Sequence, residues 1–193
     1  LVALPVGPVL WAKTFSVAPL VLVGTKEGDG YDFAPKHMAM PLGWEGFYCF
    51  VCSPRHATYR NVNAHPQFTV SFPRPEQILE SSFAAGGRVA GDEKPALAAV
   101  PTAPARVVDV PVVAGCSLYL ECELERIVDG FGPNSLIVGR VVAASAVPEA
   151  VRDPDVDDAD LVYRLGLLAY LAPGRFADIR DSRAFPYPID FRL

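Results

Sequence analysis

Two long runs, Ser117 to Val128 and Leu136 to Ala146, are split only by Asp129-Gly130-Phe131-Gly132-Pro133-Asn134. They read as a long β-hairpin closed by a glycine-rich turn, and they commit the chain to antiparallel sheet. Along the first run Leu118, Leu120, Cys122 and Leu124 alternate with Tyr119, Glu121, Glu123 and Glu125. One face is therefore expected to be apolar and the other to meet water or a partner. Further strands are expected over Val17–Thr25, Tyr31–Met40, Gly46–Cys52, Gln67–Phe72 and Ala105–Val110, the first two joined by the turn Glu27-Gly28-Asp29-Gly30. Short helices are expected after Pro54 through Ala64, over Pro75–Phe83, over Lys94–Val100 and over Leu161–Leu171. Val151–Asp160 reads as an acidic linker. The proline- and aromatic-rich tail from Phe176 reads as a segment that wraps the surface or a partner subunit. Many strands, short helices between them and no βαβ alternation point to a mainly β fold, a closed or split antiparallel barrel. No GxGxxG follows a strand, which argues against a dinucleotide-binding doubly wound sheet.

The 193 residues suit a single domain spanning 1–193. A net charge of −5 offers no general attraction to nucleic acid or anionic membrane, so any anion site must be local. No run reaches the roughly 18 apolar residues of a membrane helix, and the N-terminal stretch lacks a signal-peptide pattern. A cytoplasmic protein is expected. Cys49 and Cys52 are three apart on an expected strand and so diverge, while Cys116 and Cys122 lie about 20 Å apart along another. Buried, reduced, structural cysteines are the expectation. His37, His56 and His65 form no metal spacing, and Asp155, Asp157, Asp158 and Asp160 lack the glycine and terminal glutamate of a calcium loop. No GxSxG is present.

Two segments carry candidate chemistry. In Ser53-Pro54-Arg55-His56-Ala57-Thr58-Tyr59-Arg60-Asn61, Ser53 and Thr58 offer hydroxyl donors and Arg55 and Arg60 offer guanidinium forks. A helix starting near Arg55 or His56 would add free N–H groups, and together these could hold a phosphate monoester. The alternative is N-capping by Ser53 beside surface arginines. In Asp32-Phe33-Ala34-Pro35-Lys36-His37-Met38, Pro35 implies an edge strand or bulge with backbone groups free for a ligand. Lys36 could set positive charge against an electron-rich ring, with His37 or Met38 along its face. An ordinary proline-bulged edge is the competing reading.

Taken in order, these motifs resemble the flavin reductase-like family, whose fold is the FMN-binding split barrel. The resemblance runs through PLVLVGT, the GDG turn, DFAPK, PLGWEGF, SPRHATYRNV, HPQFTVSFP and the SS-x-F segment at Ser81–Phe83, and more weakly through LVYRLGLLAY. It implies a homodimer with FMN at the subunit interface. Ala34, Pro35, Lys36, His37 and Met38 would border the flavin ring, and Ser53, Arg55, His56, Thr58 and Asn61 would hold ribityl and phosphate. Arg164 and Tyr170 become candidates for closing the ring face or steering the nicotinamide. The implied activity is NAD(P)H:flavin reduction, with NADH or NADPH as co-substrate, and some members pass reduced flavin to a separate monooxygenase. Alternatives on the same barrel are an FMN enzyme acting on an organic substrate, with His37 as the catalytic residue, and a non-enzymatic flavin or haem carrier. The chain departs from the family pattern at His37, where serine is common, and at Leu167-Leu168, where a glycine pair is usual.

Overall fold

The computed structural model describes residues 1–184. In chain order it has α1 (Pro8–Lys13), β1 (Ser16–Pro19), β2 (Val21–Glu27), β3 (Gly30–Lys36), β4 (Ala39–Pro41) and β5 (Phe47–Cys52). There follow α2 (Ala57–Ala64), β6 (Gln67–Phe72), α3 (Ile78–Ala84), β7 (Thr102–Ala103), β8 (Val112–Val113), β9 (Leu118–Phe131) and β10 (Asn134–Ala146). The described chain closes with α4 (Asp158–Leu165), β11 (Leu167–Ala172) and β12 (Arg175–Ile179).

Seven strands form one antiparallel sheet in the order β3-β2-β6-β9-β10-β5-β4. Its two outermost strands, β3 and β4, are separated in sequence by only His37 and Met38. Opposite margins of a seven-stranded sheet can be two residues apart only if the sheet curls round to bring them together. The result is a split antiparallel barrel, as the strand pattern predicts. Inside it, Val21, Val23, Phe50, Val62, Phe68, Val70 and Ile137 are buried together, with Phe50 and Phe68 edge to face at 5.4 Å. Gly139 on β10 is required by this core: a Cβ there would lie 2.3 Å from the Phe68 ring, so only glycine lets the aromatic approach the strand this closely. On the outer face of β2, Leu22 joins Phe33, Ala84, Val100, Val113 and Cys116 under α3 and β8. β2 is thus covered on both sides, which explains its unbroken apolar run. All four cysteines are free and buried, and burial pushes Cys116 and Cys122 up to about 12.

Four expectations need correction. The run Val17–Thr25 is two strands, because β1 leaves at Pro19 to pair with β11 in a separate three-stranded sheet while β2 enters the barrel. Ala105–Val110 is not a strand. Its backbone N–H groups at Arg106, Val107 and Val108 all donate to the Glu121 carboxylate, at 3.0, 2.6 and 3.1 Å. Glu121, expected on a wet face, is therefore among the most buried side chains of the protein. Leu161–Leu171 is not one helix: α4 stops at Gly166, whose φ of 65° lies in the left-handed region, and the chain continues as β11. The tail adds β12 against β11, and its last residues, 185–193, lie outside the described residues.

Candidate functional site

The curled sheet brings the two chemistry-bearing segments together at one end of the barrel. β3, an edge strand as Pro35 requires, delivers Ala34 and Pro35 half-buried and Lys36 buried. β5 ends beside it at Cys52, and the chain turns through Ser53-Pro54-Arg55-His56 into α2. The Lys36 Nζ lies 3.6 Å from the Cys52 sulfur, and the same sulfur lies 3.9 Å from His56 Nδ1. Asn61, one turn into α2, donates to the Thr25 hydroxyl at 3.1 Å and so pins the helix to β2. Thr58 and Ser53 are buried.

Two observations describe the electrostatics. Arginine ion pairs of the described residues involve Arg60, Arg88, Arg126, Arg140, Arg152 and Arg180, and lysine pairs involve Lys26 and Lys94. Neither Lys36 nor Arg55 is among them. A buried ammonium without a carboxylate is costly unless something else supplies the counter-charge. His56 is held below the usual imidazole range first by burial, then by Lys36 and Arg60, so a positive field reaches the start of α2. The α2 N-terminus also has no side-chain cap. Ser53 is not the helix cap: its hydroxyl accepts from the Arg55 N–H at 3.4 Å, inside the turn before the helix. Arg60 turns away, donating to the Arg55 carbonyl and pairing with Asp92.

His37 sits in the bend between β3 and β4, and the neighbouring Met38 carbonyl accepts from the Val51 N–H at 2.8 Å. Its ring stacks on Tyr170 of β11, with centroids 4.2 Å apart and planes 24° apart. Burial and then Lys36 lower the His37 pKa, which favours the neutral ring. The Tyr170 hydroxyl accepts from the Gly174 N–H at 2.8 Å, which fixes the other member of the stack. Met38 is exposed. Arg164 stands apart on exposed α4, where its Nε donates to the Asp160 carbonyl at 3.2 Å. Of the two tail candidates, the structure brings Tyr170 to the site.

Sequence reading missed four participants. Cys52 and Thr25 touch site residues across strands, and Tyr59 donates to Asp129 at 3.2 Å across 70 positions of chain. Ser135 donates to the same carboxylate oxygen at 2.6 Å. Only Tyr59 lay within a segment singled out by its composition.

The profile of the flavin reductase like domain matches residues 15–170. The chain belongs to the flavin reductase-like family. No curated protein matches it by sequence. Among solved structures it is similar to nitrilotriacetate monooxygenase component B from Bacillus cereus, at 18% identity over 95% of this chain and 99% of that one, TM-score 0.79. It is also similar to the 2-nitrobenzoate 2-nitroreductase of Pseudomonas fluorescens, at 17% identity over 96% and 91%, TM-score 0.76. A third is the FMN-binding protein from Thermus thermophilus with bound p-hydroxybenzaldehyde, at 21% identity over 96% and 98%, TM-score 0.74. At these identities the likeness shows the fold. Among the described residues no helix is long and apolar enough to cross a membrane, and no group of three or more His, Cys, Asp or Glu side chains could hold a metal ion.

Proposed function

We propose that this flavin reductase-like protein is an FMN-dependent oxidoreductase, acting as an NAD(P)H:flavin reductase. The observation that carries the reading is the buried Lys36 ammonium, unmatched by any carboxylate of the described residues, beside a helix start with no side-chain cap among them. That donor set fits a phosphorylated heterocycle that gains negative charge on reduction. When bound, FMN supplies the centre that takes up hydride. Ser53, Arg55 and Thr58 hold its phosphate and ribityl chain, and Asn61 keeps α2 in place through Thr25. Lys36 sets positive charge beside the ring. His37, its pKa lowered by burial and by Lys36, borders the same slot. No acidic or basic side chain is needed for hydride to leave a nicotinamide, so placement and exclusion of water carry the catalysis.

A second copy of the chain is the proposed partner. Met38, Met40, Leu42 and Trp44 stand exposed in succession beside the site, Trp44 at 87%. An apolar run of that kind suits a subunit contact. The relative named as a monooxygenase component supports a role supplying reduced flavin to a separate oxygenase. The His37–Tyr170 stack favours one other reading, direct reduction of an organic substrate oriented by His37. The relatives named for nitroreductase activity and for a bound aromatic aldehyde support it.

An anaerobic visible spectrum before and after NADH or NADPH tests both. A flavin band bleached by nicotinamide supports the reductase. A bleached band that returns anaerobically when an organic acceptor is supplied supports the second reading, and a bound flavin that nicotinamide does not reduce supports a carrier. Failure to bind added FMN removes all of these. Thr58→Val is expected to weaken FMN binding by about 1.5–3 kcal/mol, the worth of a hydrogen bond to a charged group, read by flavin fluorescence titration. Unchanged affinity takes Thr58 out of the phosphate site.

A further inference from the structure

The turn that precedes α2 has a second face. Beyond Ser53 and Arg55, an open cleft of about 260 Å³ separates α2 from the tip of the β9–β10 hairpin. Tyr59 of α2, Pro133 of the hairpin tip and Asp129 all line it. The Asp129 carboxylate is held in place: Tyr59 and the fully buried Ser135 both donate to its Oδ1, at 3.2 and 2.6 Å. Oδ2 accepts no hydrogen bond among the described residues. The hairpin tip is thin, since Cβ atoms at Gly130 and Gly132 would meet nothing within 4 Å.

An anchored acceptor carboxylate, a tyrosine ring and an arginine with no carboxylate partner among the described residues suit one chemical pattern. A carboxylate oxygen with two lone pairs to offer recognises a vicinal diol, as acidic residues do for ribose in dinucleotide sites. An aromatic ring and a proline accept a planar base. Arg55 meets a phosphate. The cleft is close to the lower limit of about 300 Å³ for small-molecule pockets, so it takes a nucleoside-sized fragment and not a whole cofactor. It opens from the same Ser53–Arg55 turn that the proposed function gives to the FMN phosphate.

We infer that this cleft is an adenosine 5′-phosphate subsite, with Asp129 accepting from the ribose diol and Arg55 facing the phosphate. The inference rests on the flavin-binding reading above. The adenylate can come from FAD, whose adenylate continues from the flavin phosphate, or from the nicotinamide dinucleotide. Its placement favours FAD.

The test compares FMN, FAD and AMP on the intact protein, wild type and Asp129→Asn, by flavin fluorescence and competition. FAD is expected to bind at least tenfold tighter than FMN. Asp129→Asn should erase that advantage while leaving FMN affinity unchanged, because the amide oxygen still accepts from Tyr59 and Ser135. AMP should displace FAD more readily than FMN. If FAD has no advantage but AMP raises the KM for NADH competitively, the subsite serves the nicotinamide dinucleotide. Pro133→Tyr, which narrows the cleft without touching Asp129, should reproduce the selective loss. FMN binding with no FAD preference and no AMP competition overturns the cleft alone. Failure of both flavins to bind overturns the parent reading.

Discussion

Glu121→Ala is expected to lower stability by roughly 3–4 kcal/mol, the cost of removing one partner from a buried charged network. For a chain of this length that is about 10 °C in melting temperature. The carboxylate holds three successive backbone N–H groups, so its loss unseats the whole Ala105–Val110 segment. Glu121→Gln keeps the acceptor geometry at one oxygen and should lose about half as much. The pH dependence distinguishes charge from packing. Burial alone would raise the Glu121 pKa, but the three N–H donors outweigh it and hold it below its ordinary 4.5. A carboxylate with a depressed folded pKa adds stability that is fully present above the unfolded value and is lost as pH falls through the folded one. The gap between wild type and Glu121→Gln should therefore be constant near neutrality and close below about pH 4. A melting temperature within 2 °C of wild type for the alanine variant, read by circular dichroism, would show that the segment is held by other contacts.

Lys36→Met should produce two effects of opposite sign. The side chain is 92% buried, being 8% exposed, and no carboxylate of the described residues pairs with it. Replacing a buried unpaired charge with an apolar side chain of similar length removes a desolvation cost, and the flavin-free protein should gain roughly 1–3 kcal/mol. The same change removes the positive charge proposed to face the ring, so FMN affinity should fall by about 1.5–3 kcal/mol, roughly ten- to hundredfold. Thermal melts with and without FMN measure both. A variant that is destabilised without flavin would mean that Lys36 is satisfied within the protein, and undiminished FMN affinity would remove it from the ring site.

Much of this was legible in the chain. Alternation along Leu118–Leu124, glycine-rich turns and the proline in β3 are local signals, and they placed the strands, the edge and the barrel. What failed was non-local. Glu121 reads as a solvent residue because strand alternation cannot show that a loop over the outer face will bring it three N–H donors. The valines of Ala105–Val110 imitate a strand for the same reason. Gly166 was a readable stop signal, obscured by the leucines on either side of it. Within the site, the Ser53–Asn61 and Ala34–Met38 segments owed their reading to residue type and order, whereas the Tyr59–Asp129–Ser135 cluster needs the hairpin tip folded against α2 and leaves no trace in either segment alone.

The two-residue link between β3 and β4 bears on solubility as well. Exposed strand margins are templates on which other molecules can add their own strands, the usual route to sheet-driven aggregation. His37–Met38 turns the two margins of this sheet toward each other, and Pro35 deletes a donor from one of them. An insertion at this link would therefore uncover both margins at once. Its expected first symptom is precipitation, before any change in cofactor chemistry can be measured.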